Sequence, residues 1–191
     1  MSRNKLPPSG LVRRVCDIAL EITGVYRFFM LARKSTIGLS VRVASPSRLS
    51  VGCNVTVQRG AILHCGGKAW CANRGHIRLG DGVTIGPYCV VYGAGGVELE
   101  DHVHLGPGAK IMSQAGAHDD KRLSAHPTFL LDSVHIGAGS WIGAGAVILG
   151  GSRIGKCVSV APNSVVFGEV PDYAVIAGNP ARVVFKNKAI D

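Results

Sequence analysis

The sequence predicts an all-β solenoid, a chain wound into a coil with three flat sides. Residues 136–170 divide into blocks of six, and each block opens with Ile or Val, at positions 136, 142, 148, 154, 160 and 166. The second place is Gly or Ala in four of the six blocks, and the fifth place is always small or β-branched. A period of six fits neither a helix nor simple strand alternation. It fits a coil in which one aliphatic residue per side points inward and the neighbouring Gly permits the tight corner.

The spacing between turns locates the insertions. Three blocks make one turn of eighteen residues. The coil starts near Ile37, and later turns begin at Val51, Leu79, Leu99, Ile136 and Ile154. Measured against eighteen, the step into Leu79 carries ten extra residues, the step into Leu99 two and the step into Ile136 nineteen. Stacked turns accept insertions only at corners, where they project as loops, so the long inserted loop 117–135 is the first place to look for chemistry.

Three regions follow from this pattern. Residues 1–36 form a lead and a short amphipathic helix, residues 37–170 form the coil with its inserted loop, and residues 171–191 form a carboxy-terminal tail. In the first region, apolar residues recur at 11, 15, 18, 22, 25 and 29, which is one face of a helix. We expect this face to pack on the coil or on a neighbouring subunit. The alternative is that residues 11–34 rest on anionic lipid as a basic amphipathic helix.

Composition and charge restrict the function. The net charge is +9, but residues 1–36 hold seven basic and two acidic side chains, so the surplus is concentrated at the amino end. This distribution argues against a nucleic-acid groove and favours an anionic small ligand. The six Cys form no C-x-x-C pair, and His64, Cys65, Cys71 and His76 match no common zinc spacing, so no metal is expected. Reduced thiols and the absence of a signal peptide indicate a cytoplasmic protein.

The inserted loop contains the best candidate for a general base. His118 is followed by Asp119 and Asp120, and a carboxylate beside an imidazole can orient the ring and raise its basicity. Four other histidines compete for this role: His102, His104, His126 and His135. Three of them, at positions 102, 104 and 135, fall at places where a side chain should point outward. Spacing alone does not choose among the five.

The blocks, the loop and the ending PDYAVIAGNPARVV resemble the left-handed β-helix acyltransferases of the hexapeptide-repeat superfamily. The resemblance covers residues 37–186 and is nearest to the galactoside and maltose acetyltransferases and to polysaccharide-modifying enzymes. It implies a left-handed coil and a homotrimer with its sites between subunits. It also implies transfer of an acetyl group from acetyl-CoA to a hydroxyl, or less readily an amine, of a sugar in surface polysaccharide or lipopolysaccharide biosynthesis.

The resemblance also assigns roles to residues. His118 takes the place of the general base, and Trp141 lies beside the pantetheine arm. Arg182 takes the place of a phosphate-contacting Arg, with Lys186 close by, and Asp119 is expected near the acceptor. Gly-rich corners expose amides that could bind an oxyanion, and we expect Gly143 and Ala144 to be first among them. The chain departs from the sugar acetyltransferases at Gly168, where they carry Lys, and at Gly86, where they carry Asn.

Three alternatives remain beside this reading. A γ-type carbonic anhydrase would use the same coil, but its three zinc-binding His are not found after Ile136. A non-catalytic scaffold would also fit the repeats, and it predicts no stabilisation by CoA. A serine acetyltransferase requires a large helical amino-terminal domain, which does not fit into residues 1–36.

Overall fold

The computed structural model describes residues 33–66, 71, 74–117 and 128–186. Within these ranges the chain forms strands, numbered β1 to β22 in chain order, and a 3₁₀-helix at Pro46–Arg48. In this part of the chain we find no helix with the length and apolar character needed to span a membrane. The amphipathic helix predicted before residue 33 lies outside the described residues.

Three sheets form the three sides of the coil, with eight strands in sheet A and six each in sheets B and C. Sheet A contains Thr36–Ile37 (β1), Thr56–Val57 (β4), Thr84–Ile85 (β7), His104–Leu105 (β10), Trp141–Ile142 (β15), Ser159–Val160 (β18), Ala174–Gly178 (β21) and Ala181–Lys186 (β22). Sheet B contains Arg42–Ala44 (β2), Ile62–His64 (β5), Val90–Tyr92 (β8), Lys110–Met112 (β11), Val147–Leu149 (β16) and Val165–Val166 (β19). Sheet C contains Leu49–Val51 (β3), Ile77–Leu79 (β6), Val97–Leu99 (β9), Val134–Ile136 (β14), Arg153–Ile154 (β17) and Glu169–Val170 (β20). Gln114–Ala117 (β12) and Thr128–Leu131 (β13) form a separate antiparallel hairpin.

The six-residue period sets the register of all three sheets. In sheet C the predicted turn starts Val51, Leu79, Leu99, Ile136 and Ile154 stack directly on one another. Sheet A stacks Val57, Ile85, Leu105, Ile142 and Val160, and sheet B stacks Leu63, Val91, Ile111, Ile148 and Val166. These three columns are buried and form the core. The predicted three-sided coil is confirmed.

The small residues at the fifth place of the blocks are buried as well. Ser140, Ser152 and Ser164 are at most 1% exposed. Their hydroxyls bond to the backbone of the coil: Ser140 Oγ donates to Gly155 O at 2.8 Å, and Ser152 Oγ donates to Leu149 O at 2.7 Å. A hydroxyl in the core is tolerated here because it has a hydrogen-bond partner.

The glycines at the second place of the blocks do not make the corner. The corner falls at the fourth place, where the backbone has a positive φ. At the edge between sheets C and A this place is held by Asn54, Gly82, His102, Gly139, Cys157 and Tyr173. The second-place glycines lie instead against the next coil: a Cβ atom on Gly143 would be 2.5 Å from Pro162 N. The predicted role of these glycines is therefore wrong, because what they permit is the close approach of two backbones.

The connections longer than one block leave the described coil at a single edge, where sheet B passes into sheet C. They join β2 to β3, β5 to β6, β8 to β9 and β11 to β14. The last of them contains the hairpin β12–β13, within the loop predicted at residues 117–135. The predicted insertions are thus confirmed as corner connections. In a three-sided coil, the edge between B and C is opposite sheet A.

The coil continues beyond Val170, which the sequence pattern placed at its end. The strand β21 adds to sheet A in parallel, pairing Val160 with Ile176. The strand β22 then turns back and pairs with β21 in the antiparallel direction, so the residues predicted as a tail close the end of sheet A.

Candidate functional site

Trp141 lies on the outer surface of sheet A. It precedes the core residue Ile142 in β15, and strand alternation turns its side chain away from the core. The side chain is 57% exposed, which is unusual for a large aromatic group. Its indole stacks on the imidazole of His104 in the adjacent strand, with ring centroids 5.4 Å apart and planes at 25°. The two rings form one aromatic ledge, which we call the His104–Trp141 ledge.

The corner after Trp141 contains the two predicted oxyanion residues, and their amides differ. The N–H of Gly143 donates to Val160 O at 2.8 Å and is therefore used by the stacking of the coils. Ala144 is exposed, and its N–H has no acceptor among the described residues. Its carbonyl accepts the N–H of Asn163 at 2.9 Å, which fixes the direction of the peptide. At this corner, only the Ala144 amide is open to a ligand.

The hairpin β12–β13 is anchored firmly at its base. The N–H of Asp132 donates to Ser113 O at 3.2 Å, and Ser113 Oγ donates to Tyr92 O at 2.6 Å in the preceding coil. The two ends of the insertion therefore lie side by side at the edge between sheets B and C. The candidate base His118 and its neighbour Asp119 follow β12 and lie outside the described residues.

Arg182 and Lys186 lie on β22, in the same sheet as Trp141. The order β15–β18–β21–β22 separates them from Trp141 by two strands. Both side chains are exposed, and Arg182 Nη1 makes only a local bond, to Ala181 O at 2.9 Å. The register pairs Arg182 with Ala177, and the same strand exposes Phe185. Sheet A thus carries an aromatic group and two cations along one side of the coil.

Sheet C carries a charged outer face that the pattern reading missed. Its outward positions are Ser50, Arg78, Glu98, His135, Arg153 and Glu169, stacked in register. Glu98 pairs with Arg78 and lies 3.5 Å from His76 Nε2. Burial alone would raise the pKa of Glu98, but the charge of Arg78 and the bonds to Arg78 and His76 outweigh it, so the pKa lies below its usual range. The signal was present in the sequence, because the place before each sheet C aliphatic residue is polar in every turn.

Two shallow grooves follow this charged face, with volumes of about 630 and 550 Å³. They share Glu100 and His135. Glu100 Oε1 lies 3.1 Å from His135 Nε2, and Glu100 Oε2 accepts the N–H of Ala138 at 3.0 Å. Within the described residues, no group of His, Cys, Asp and Glu side chains is arranged to hold a metal ion. The five described cysteines are free thiols.

The predicted site residues therefore fall into two groups. Trp141, Gly143 and Ala144 occupy one corner of the coil, and Arg182 and Lys186 lie on the same sheet. The loop residues at 118 and 119 belong to the insertion at the opposite edge. His104 was considered only as a competing base, and its contact with the indole was not foreseen, because 37 residues separate two neighbours in space.

Comparisons with known proteins agree with the repeats. Residues 133–168 match a family model described as bacterial transferase hexapeptide, six repeats. The chain is 32% identical over 133 residues to the probable acetyltransferase Rv3034c of Mycobacterium tuberculosis, a match that covers 69% of this chain and 44% of that protein. It is 36% identical over 112 residues to the putative lipopolysaccharide biosynthesis O-acetyl transferase WbbJ of Escherichia coli, covering 58% and 54%. The chain thus spans about half the length of these relatives.

A solved structure shares the architecture. The D94A mutant of AntD, an N-acyltransferase from Bacillus cereus in complex with dTDP and coenzyme A, has a TM-score of 0.70 to this chain. The match covers 86% of this chain and 89% of the AntD chain at 20% sequence identity. At that identity the likeness shows the fold, which is the left-handed parallel β-helix of hexapeptide repeats.

Proposed function

Because the chain belongs to the hexapeptide-repeat superfamily of left-handed β-helix acyltransferases, we propose that it transfers an acetyl group from acetyl-CoA to a hydroxyl of a sugar. The observation that carries this proposal is the surface of sheet A around Trp141. There an exposed indole, an open amide at Ala144 and the cation of Arg182 lie on one side of the coil. An extended donor with an apolar arm and terminal phosphates matches this order of groups.

Each part of the donor has a partner in this proposal. The pantetheine arm packs on the indole of Trp141, and the phosphates of CoA bind Arg182 and Lys186, whose charges are exposed. The thioester carbonyl lies at the corner, where the amide of Ala144 donates to its oxygen. The Gly143 amide already bonds within the coil, so its role is to let the coils approach closely.

The reaction is a direct acyl transfer. A sugar hydroxyl is a weak nucleophile at neutral pH, so His118 removes its proton as the oxygen attacks the carbonyl carbon of the thioester. Negative charge develops on the carbonyl oxygen, where the Ala144 amide stabilises it. The carbon–sulfur bond then breaks, and the proton held by His118 goes to the departing thiolate. The products are the acetyl ester of the sugar and free CoA. Asp119 is assigned to holding the acceptor beside the base.

The arrangement of the coil supports a site shared between two copies of the chain. The loop with His118 leaves the edge between sheets B and C, and Trp141 lies on sheet A, which is opposite that edge. A second copy can bring its sheet A against the loop of the first. We therefore propose the homotrimer that the resemblance implies, with each site formed by the loop of one subunit and the donor surface of the next.

The choice of a sugar hydroxyl rests on the relatives. One of them is described as an O-acetyl transferase of lipopolysaccharide biosynthesis, and the structural neighbour is an N-acyltransferase that was solved with dTDP. Both descriptions support a saccharide acceptor, free, lipid-linked or nucleotide-linked. An amine acceptor is the second candidate, favoured by the N-acyltransferase alone. We place the enzyme in the cytoplasm, with residues 11–34 available for contact with the membrane surface.

The base assignment is tested in the inserted loop itself. His118→Ala should reduce acetyl transfer by about 10²- to 10⁴-fold, because the proton of the hydroxyl then has no acceptor. His126→Ala, in the same loop, is the matched control and should retain activity. The assay measures CoA release with a panel of sugars and amino sugars, which also separates hydroxyl from amine acceptors. Stabilisation of both variants by acetyl-CoA in a thermal-shift experiment would show that the donor still binds. Full activity of His118→Ala would overturn the assignment.

A further inference from the structure

The outer surface of sheet A has a regular column of side chains in register. From one coil to the next it runs Thr84, His104, Trp141 and Ser159. Only the two central members are aromatic. His104 is half-buried, whereas Trp141 is exposed over more than half of its surface. Strands in a sheet are about 4.8 Å apart, so residues in register can stack ring on ring.

The contact between the two rings restricts the indole. An exposed Trp on a flat strand has several side-chain rotamers available. The imidazole of His104, with its centroid 5.4 Å from that of the indole, is in the range where aromatic pairs attract. One side of the indole is covered by this stack, and the rest stays open to solvent. The indole is therefore held in one orientation before any ligand arrives.

We propose that His104 is a positioning residue for the acyl donor. It acts through Trp141: by fixing the indole, it removes the entropy that would otherwise be lost when the pantetheine arm of acetyl-CoA packs there. This inference rests on the proposed function and names a residue for which neither the repeat pattern nor the comparisons give a role. The other histidines of the described coil have different partners. His135 is paired with Glu100, and His64 stacks on Tyr92 on sheet B.

The test compares three variants in a Trp70→Phe background, which leaves Trp141 as the only indole. His104→Ala removes the stack, and His104→Phe keeps an aromatic ring without imidazole chemistry. His64→Ala is the matched control, because it removes the other stacked imidazole, 5.1 Å from the Tyr92 ring on a different sheet. Two quantities are measured: the fluorescence anisotropy of Trp141 without ligand, and the Kd for acetyl-CoA from the change in Trp141 emission.

We expect His104→Ala to lower the anisotropy and to raise the Kd by about three- to ten-fold, the loss from releasing one immobilised side chain. His104→Phe should restore both values, and His64→Ala should change neither. An unchanged Kd in His104→Ala, or a His104→Phe variant no better than His104→Ala, would overturn the positioning role while leaving the proposed activity intact. If the parent protein itself shows no binding of acetyl-CoA, the proposed function fails with it, and the loss of binding in the parent identifies that case.

Discussion

At the scale of single residues, close approach between coils decides which side chains are allowed. Gly137, Gly143 and Gly155 have no room for a Cβ atom, because backbone atoms of the next coil would lie within 3 Å of it. The corner itself tolerates side chains, and Tyr88, with φ of 58°, occupies one with its ring 60% exposed. Glycine is therefore required in this coil where two backbones meet, and it is optional where the chain turns.

This distinction predicts opposite outcomes for two glycine substitutions. Gly143→Ala would put its Cβ atom 2.5 Å from Pro162 N and 2.6 Å from Val160 O. Two backbones must then separate, so we expect a loss of about 1–3 kcal/mol in the free energy of unfolding. Gly116→Ala is the control, because no atom lies within 4 Å of a Cβ atom there, and its stability should be unchanged within about 0.5 kcal/mol. Urea denaturation measures both. Equal stability of the two variants would contradict the close-approach argument.

At the scale of elements, the hairpin β12–β13 is attached to the coil without being part of its stacking. Its strands pair with each other, from Gln114 with Leu131 to Ala117 with Thr128, and lie in none of the three sheets. The coil continues past it, since Ile111 stacks on Ile148 and Leu99 on Ile136. The stability of the coil should therefore not depend on the hairpin.

The hairpin can be shortened to test this independence. Replacing residues 115–130 with Asn-Gly keeps the pair Gln114–Leu131 and closes it with a two-residue turn. We expect far-UV circular dichroism and Tm close to those of the parent, because the ends of the insertion are already adjacent. Acetyl transfer should be lost, because His118 is removed, whereas binding of acetyl-CoA should remain. A shortened protein that does not fold would show that the hairpin contributes to the coil.

At the scale of the whole molecule, the three faces of the coil differ in character. Sheet A carries the His104–Trp141 ledge and the exposed Arg182, sheet C carries paired charges, and the long connections emerge between B and C. The proposed donor surface and the loop that carries the proposed base are consequently on opposite sides of one chain. A complete site then needs two chains.

Subunit complementation tests that conclusion. His118→Ala and Trp141→Ala chains should each be inactive or strongly impaired alone. When the two are co-expressed, mixed trimers pair an intact loop from one chain with an intact donor surface from the next, so about a quarter of the sites should be restored. Activity is measured on mixed trimers purified through two different tags. Absence of recovery in verified mixed trimers would mean that each site lies within one chain.

The sequence was a good guide to the coil and a poorer guide to its surface. Ile136, Ile142 and Ile148 could be placed because one buried aliphatic residue per side repeats along the chain, and the insertions followed by counting from them. The role of Gly143 was misjudged, because close approach of two coils leaves no mark in a local pattern. The contacts of His104 with Trp141 and of Glu100 with His135 join residues more than thirty positions apart. Such pairs depend on the lengths of the connections, which only the folded chain reveals.

The single edge that accepts long connections has a consequence for how such an enzyme changes. Segments exchanged there leave the core columns, the amides of the coil and the donor surface of sheet A as they are. Acceptor preference can therefore be altered by grafting a new segment between β11 and β14, while the affinity for the activated acyl group is inherited without modification. The fold separates the two halves of its substrate specificity into parts that can be replaced independently.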